Sequence, residues 1–301
     1  MQPPRTKIFI NTGARAGETE GLQQRLKELL GARGRHADIT CARDGQELAQ
    51  LAHAAAGETY DVVVAGGGDG TVNAVASAII GTEKTLGVLP LGTLNHFARD
   101  LKIPLDFDAA VQNLIADNSI KIDVGEVNGR IFLNNSSLGL YPHIVHERER
   151  QQRLGAGKWS AFVWAAITAL RRYPFLNVRL TVEGEEFARR TPFVFIGNNE
   201  YIMEQLNIGI RECLDKGELS LYMGHLTGRW GLARLALRAL LGRLSEEKDF
   251  LAMCTREVTI MTRHRRIRVA FDGEIDMLET PLEYRVRPRA LRVIVPDKEN
   301  Q

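Results

Sequence analysis

The stretch Asp61-Val62-Val63-Val64-Ala65-Gly66-Gly67-Gly68-Asp69-Gly70-Thr71-Val72-Asn73 decides the fold of this chain. Three consecutive valines read as a strand buried on both faces. Four glycines follow within five residues, and the spacing of Val72, Val75, Ala76 and Ile79 then predicts a helix starting near Thr71. Glycine lets a ligand approach the main chain closely, and the free amides of a helix N-terminus attract anions. Strand, glycine turn and helix together predict a phosphate cradle at the carboxyl edge of a parallel sheet. Asp69 stands inside that cradle. A carboxylate beside phosphates needs a cation between them, so Asp69 points to Mg²⁺. Taken alone, the loop also fits a tight turn capped by Thr71. Two familiar nucleotide patterns are absent. Gly155-Ala156-Gly157-Lys158-Trp159 lacks the first Gly and the Ser/Thr of GxxxxGK[ST], and Thr71 stands where GxGxxG requires its third Gly.

Around this stretch, strands and helices alternate. Lys7–Asn11, Ala37–Thr40 and Leu86–Leu89 read as strands. Leu22 to Leu30, Leu48 to Ala55 and Ala109 to Ile115 read as helices. Such alternation predicts a parallel sheet covered on both faces. Near residue 120 the rhythm changes. Lys121–Val124, a hairpin turn at Asn128-Gly129 and the return Ile131–Leu133 open an antiparallel series. It continues through Phe175–Val182, Phe193–Gly197, Glu218–Tyr222, Val258–Thr262, Ile267–Phe271, Leu282–Val286 and Leu291–Val295. Helical segments at Lys158–Arg172 and Arg229–Leu244 interrupt it. The fold class expected is an α/β N-terminal domain with a parallel sheet, residues 1–122, followed by a mainly antiparallel β-sandwich-like domain, residues 123–301. With so little linker between them, the ligand site is expected in a cleft where the domains abut.

Composition narrows the function. The chain has 301 residues, 44% apolar and 25% charged, which excludes a disordered, collagen-like or disulfide-stapled protein and suits two domains at roughly 150 residues each. Lys plus Arg is 39 against 37 acids, a net charge of +2, so no nucleic-acid partner is expected. Cys41, Cys213 and Cys254 are far apart and form no CxxC pair, which fits a reducing cytoplasm. Residues 1–11 are too short in apolar run for a secretory signal. The longest nearly apolar stretch, Trp159–Leu170, has twelve residues where a spanning helix needs about 20.

Two further loops reinforce the first. Pro90-Leu91-Gly92-Thr93-Leu94-Asn95-His96-Phe97-Ala98-Arg99-Asp100 again joins a strand end to a helix start, and Asn11-Thr12-Gly13-Ala14-Arg15-Ala16-Gly17 follows the first strand. Three such loops at one sheet edge favour the cradle over a bare turn.

These residues resemble the diacylglycerol kinase catalytic-domain family, in its bacterial lipid kinase branch, over nearly the whole chain. Gly67 to Asn73 matches the family's GGDGTxN. Leu91 to Ala98 resembles its LGTxNDFA, with His96 for Asp. Asn11 to Gly17 resembles its N-terminal loop, with Thr12 for Pro. Phe271-Asp272-Gly273-Glu274 matches its late DGE, and Arg289 to Val293 its closing strand. The resemblance implies an NAD kinase/diacylglycerol kinase-like two-domain architecture and ATP-dependent phosphorylation of a lipid hydroxyl. It implies that Asn11, Thr40, Gly66, Gly67, Gly68, Asp69, Gly70, Thr71, Val72, Asn73, Gly92, Thr93 and Asn95 bind ATP with Mg²⁺, and that Glu274 accepts the proton. A structural Mg²⁺ in the family lies near Leu214-Asp215-Lys216-Gly217-Glu218. Here Lys216 replaces the expected ligand, and an ammonium cannot coordinate a cation, which leaves Asp215. Ala74 stands where many relatives have Glu.

A lipid alcohol needs a base at neutral pH. Asp272 and Glu274, two apart, would point the same way from an extended segment and raise one another's pKa. Two solvated acids in a turn is the plainer alternative. The arginines of Arg229–Leu244 suit either an interfacial helix on anionic lipid or a core-packed helix with a solvated face. Lys158–Leu170 suits a buried helix or an acyl-chain wall. Arg263, Arg265, Arg266 and Arg268 suit a solvated edge or lipid headgroups, and His143 and His146 a surface loop. The expected partners are a lipid substrate at a membrane surface, reached by peripheral contact from the cytoplasmic side, with room for a homodimer. The rival readings are an NAD kinase-like enzyme of a soluble substrate and a catalytically silent nucleotide or lipid sensor.

Overall fold

The computed structural model describes residues 3–13, 19–139, 175–199, 201–204, 207–211, 214–224 and 250–297. The predicted helices at 158–172 and 229–244, and His143 and His146, lie outside the described residues. Two compact units emerge: 1–124 together with 288–301, and 125–287.

The first unit runs β1 (Thr6–Asn11), α1 (Thr19–Gly31), β2 (Ala37–Ala42), α2 (Gly45–Ala56), β3 (Val62–Gly67), α3 (Asp69–Ile79), β4 (Thr85–Pro90), α4 (His96–Asp100) and α5 (Phe107–Ala116). Its strands lie in the order β2-β1-β3-β4, all parallel. Every residue of β3 is buried, as its valines require of a strand covered on both faces. Ile8, Ile10, Val62, Val64 and Leu89 meet Leu26 and Leu30 of α1 and Ala110 and Val111 of α5 on one side of the sheet. Two helices begin on side-chain caps. The Asp44 carboxylate accepts from the amides of Gln46 and Glu47, and that of Asp106 from Ala109.

Strand β5 (Ser119–Val127) leads into the second unit, which holds β6 (Arg130–Phe132), β7 (Asn135–Gly139), β8 (Leu176–Val182), β9 (Glu185–Thr191), β10 (Phe193–Asn198), β11 (Tyr201–Glu204), β12 (Asn207–Arg211), β13 (Leu219–Gly224), β14 (Phe250–Thr255), β15 (Glu257–Thr262), β16 (Arg266–Phe271), β17 (Glu274–Glu279) and most of β18 (Leu282–Ile294). One antiparallel sheet has the order β14-β13-β10-β7-β16-β17, and β18, β15, β8 and β9 pair in another. Their inner residues, among them Val194, Ile196, Leu221 and Val269 from one and Leu180, Ile260 and Tyr284 from the other, make a single core. Burial pushes the Tyr284 hydroxyl pKa up, opposed by its bond with Ser136 at 3.0 Å. Glu126, 4% exposed, is neutralised by Arg285 at 2.5 Å and Arg287 at 3.4 Å.

The C-terminal segment departs from the sequence expectation. The two strands expected there form one, β18, and residues 288–301 belong with the first unit rather than the second. The reason is pairing: Arg292 and Val293 lie parallel to Thr85 and Leu86 of β4. Buried Asp123, just ahead of the junction, accepts from the Arg289 amide at 2.8 Å and holds the turn of chain where Arg289 takes φ 50°.

Candidate active site

Helix α3 differs from α2 and α5 at its start. Its N-cap is Gly68, which has no side chain to cap it, and among the described residues no side chain bonds its first-turn amides. Those amides sit at the positive end of the helix dipole and are left for an anion. The neighbouring loops hold this start in place. The Asn11 side-chain amide donates to Thr71 Oγ1 at 3.2 Å, while Asn11 Oδ1 accepts from the Gly13 amide at 3.1 Å. The Leu91 amide donates to the Gly67 carbonyl at 3.0 Å. Gly68 and Gly92 meet backbone to backbone: a Cβ on Gly92 would fall 2.4 Å from the Gly68 Cα. Asn95, φ 50° and 7% exposed, turns its side chain back to accept from the Gly92 amide at 3.1 Å and to donate to the Gly92 carbonyl at 2.9 Å.

Asp69 makes a specific bond across this edge. Its two carboxylate oxygens accept from the His96 and Phe97 amides at 3.2 and 3.1 Å, so it caps α4 from another element. Each oxygen keeps further acceptor capacity for a water or a metal ion, so Asp69 fits a Mg²⁺ carried with a polyphosphate. Asp69→Ala is expected to abolish turnover and also to cost about 0.5–2 kcal/mol of stability, the usual loss for a removed cap. Urea unfolding reads the second effect; unchanged stability would show that the bond to α4 carries no weight.

The late acids, Asp272 and Glu274, lie in the second unit. The sequence expectation of an extended Asp272–Glu274 segment is overturned. Asp272 and Gly273 have φ of 49° and 90° and form a two-residue hairpin turn, with Phe271 and Glu274 paired across it. The Asp-Gly dipeptide was the signal for this turn. The Asp272 carboxylate is bent back onto the chain, accepting from the amides of Leu133 at 2.7 Å, Asn134 at 2.8 Å and Asn135 at 3.1 Å. Three such bonds tie the turn to the chain between β6 and the start of β7 and take up much of the carboxylate's acceptor capacity. Glu274, the first residue of β17, is exposed and has no hydrogen bond within the described residues. Its carboxyl pKa is raised, first by partial burial against the protein and next by Asp272, while Arg130 opposes the shift. A carboxylate at raised pKa and free of partners is what a general base requires.

The remaining predicted residues fall into place unevenly. Gly66, Gly67, Gly70, Val72 and Asn73 belong to the β3–α3 connection, and Asn73 Oδ1 accepts from Ser77 Oγ at 3.3 Å. Thr93 is exposed on the Gly92 loop, and half-buried Thr40 lies in β2 opposite Phe9 of β1. Asp215 is exposed, and among the described residues no three His, Cys, Asp or Glu side chains gather for a metal. Sequence reasoning missed the 133–135 amides and Arg130, which nothing local in the sequence ties to Asp272 or Glu274. Two surface clefts of about 510 and 420 Å³ include neither the glycine loop nor Glu274.

Residues 5–127 match the family described as Diacylglycerol kinase catalytic domain, and residues 142–295 match the YegS C-terminal NAD kinase beta sandwich-like domain. The chain belongs to the diacylglycerol kinase catalytic-domain family. Its glycine loop and the Asp272-Gly273 turn stand within those two matched regions. Proteins named diacylglycerol kinase from Staphylococcus aureus strains JH9 and Newman are each 33% identical over 144 residues, covering 46% of this chain and 45% of theirs. The match thus spans less than half the length of these curated relatives. A crystal structure titled as a diacylglycerol kinase from Bacillus anthracis str. Sterne has the same fold, with a TM-score of 0.74 at 20% identity over 98% of each chain. Membership in the diacylglycerol kinase family supports a kinase. Among the described residues, no helix is long and apolar enough to cross a membrane.

Proposed function

We propose that this protein is an ATP-dependent lipid kinase that transfers the γ-phosphate to a lipid hydroxyl, with diacylglycerol or a related glycerolipid as first-choice acceptor. The observation that carries the reading is the start of α3, left without a side-chain cap yet tied to Asn11, Leu91 and Gly92 by the loops around it. Among the described residues no side chain bonds those amides, and a polyphosphate would. The resemblance of the Gly92 loop to the lipid kinase pattern favours a lipid over NAD.

The residues divide the work. Amides at the start of α3 bind phosphate oxygens, and the tied loops keep them in register so that little reorganisation is needed. Asp69 orients the ion that travels with the nucleotide; that Mg²⁺, when bound, offsets charge on the transferred phosphoryl group. Glu274 takes the proton of the acceptor hydroxyl at a carboxylate oxygen. Asp272, bonded to three amides, holds the turn from which Glu274 projects. Contact with the bilayer is peripheral.

The test is direct. The protein, labelled ATP and Mg²⁺ are incubated with mixed micelles of diacylglycerol and other lipid alcohols, and with NAD in a parallel tube. Label is expected in a lipid extract. Label in NAD alone would replace the reading with a soluble-substrate kinase, and ATP binding without any labelled product would replace it with a sensor.

A further inference from the structure

Glu274 shares its face of β17 with other groups. Side chains alternate along a strand, so Glu274, Asp276 and Leu278 point one way, opposite Phe271, Val269 and Ile267 of β16. This is the face that runs into the core of the second unit. The other face carries Ile275 and exposed Met277, which lies opposite Arg268. Hydrophobic alternation alone would have turned β17 the wrong way round.

Arg130, the first residue of β6, reaches this acid-bearing face. Its guanidinium lies 5.9 Å from the centre of the Phe271 ring, and its Nη2 is 2.6 Å from Asp276 Oδ2. Phe271 is the direct cross-strand partner of Glu274, and Asp276 is the next residue on the same face of β17. Two independent contacts therefore place one cation beside the Glu274 carboxylate. Resting on the reading of Glu274 as the base, we propose that Arg130 is a positioning residue for Glu274, held by the Phe271 ring and shared with Asp276.

Among the described residues, three carboxylates and one cation meet here. Asp272 faces Glu274 from the turn, Asp276 from its own strand and Arg130 from β6; β16 contributes only the neutral Phe271 ring, because Arg268 lies on the opposite face. Burial and Asp272 hold the Glu274 carboxyl up, and Arg130 limits that rise. The geometry gives Asp276 a distinct part: by binding Arg130 it takes up some of the charge that would otherwise act on Glu274. A guanidinium also suits the position because its planar face stacks on an aromatic ring while its edge binds a carboxylate. The Arg130 and Asp276 side chains are 55% and 41% exposed, and exposed ion pairs contribute little to stability. Variants of either residue should therefore fold.

The experiment follows the Glu274 carboxyl titration by ¹³C NMR in the full chain without substrate, alongside the pH profile of kcat/KM. Arg130→Gln is expected to move the Glu274 midpoint upward and Asp276→Asn to move it downward, with the acid limb of kcat/KM following in each case. Arg130→Lys, which keeps the charge, should return the midpoint toward that of the unaltered protein. Opposite shifts are something a merely structural role does not produce. A midpoint unmoved in both Arg130→Gln and Asp276→Asn overturns the proposal, and Asp276→Asn alone suffices if the arginine variant does not fold. If the midpoint moves while the acid limb stays fixed, the coupling stands but Glu274 is not the base, and Arg130 has no part in catalysis.

Discussion

Glu274→Gln should lower kcat by about 100- to 10,000-fold, the span that general-base catalysis supplies, with the affinity for ATP unchanged. Gln keeps the shape and removes the proton acceptor, while the phosphate-binding amides belong to α3. The pH dependence sharpens the expectation. The Glu274 carboxyl is raised by burial and by Asp272, so its ionised form builds up at higher pH than that of an ordinary glutamate. The unaltered enzyme should show an acid limb displaced to higher pH, and the residual activity of Glu274→Gln should lack that limb. Stability has the opposite sign. A raised carboxyl pKa stabilises the folded state below the unfolded-state pKa, and that contribution is lost as pH rises through the folded value. At neutral pH the substitution should therefore leave Tm unchanged or slightly higher. A fall in Tm together with a fall in kcat would mark Glu274 as structural. Near-normal kcat would remove it from the mechanism.

What the sequence made legible, and what it hid, divides along the range of the interactions. The strand, glycine turn and helix of β3 and α3 could be read because their causes are local: the Val62–Val64 run, the glycines after it and the helical spacing of Val72, Val75 and Ile79 follow one another directly in the chain. The Asn128-Gly129 hairpin was legible for the same reason, both residues having positive φ. Strand β9 was not, because Glu185-Glu186-Phe187-Ala188-Arg189-Arg190-Thr191 buries only Thr191, so no apolar alternation survives. In β17 the core-facing side begins with two acids, which inverts the usual pattern. The most consequential hidden feature is the placement of Asp272. Its partners are 137–139 positions away in the chain, and no spacing rule reaches that far. The Asp-Gly-Glu triplet therefore singled out two acids without showing that Asp272 bends back onto the chain while Glu274 does not. The same holds for the last segment: Leu291–Val295 reads as a strand, but the parallel pairing with β4 that puts it in the first unit is visible only in the fold.

The glycine edge carries the second large expectation. Gly92→Ala should abolish detectable ATP binding and turnover together. The added Cβ would lie 2.4 Å from the Gly68 Cα, 3.1 Å from the Gly68 nitrogen and 2.8 Å from Asn95 Oδ1. Two of these are main-chain atoms of the opposing loop, which cannot swing aside as a side-chain end would. The loops must part, and parting them strains three contacts at once: the Leu91 to Gly67 bond at 3.0 Å, the Asn95 bond to the Gly92 amide at 3.1 Å and the Asp69 bonds to α4. Each orients the first turn of α3, so the amides lose their common aim even though α3 itself persists. Overpacking of this kind costs about 1–3 kcal/mol, which a folded domain tolerates, whereas displacement of the order of an ångström at the phosphates costs about 100-fold in rate. Binding should thus fail well before folding does. Gly21→Ala is the matched control: it lies in α1, where an added Cβ meets nothing within 4 Å, and Ala is there the better helix former. Calorimetry with a non-hydrolysable ATP analogue and a thermal melt on both variants separate the effects. An affinity in Gly92→Ala equal to that of Gly21→Ala would mean that the close approach of the two loops is not what holds the phosphate-binding amides in place.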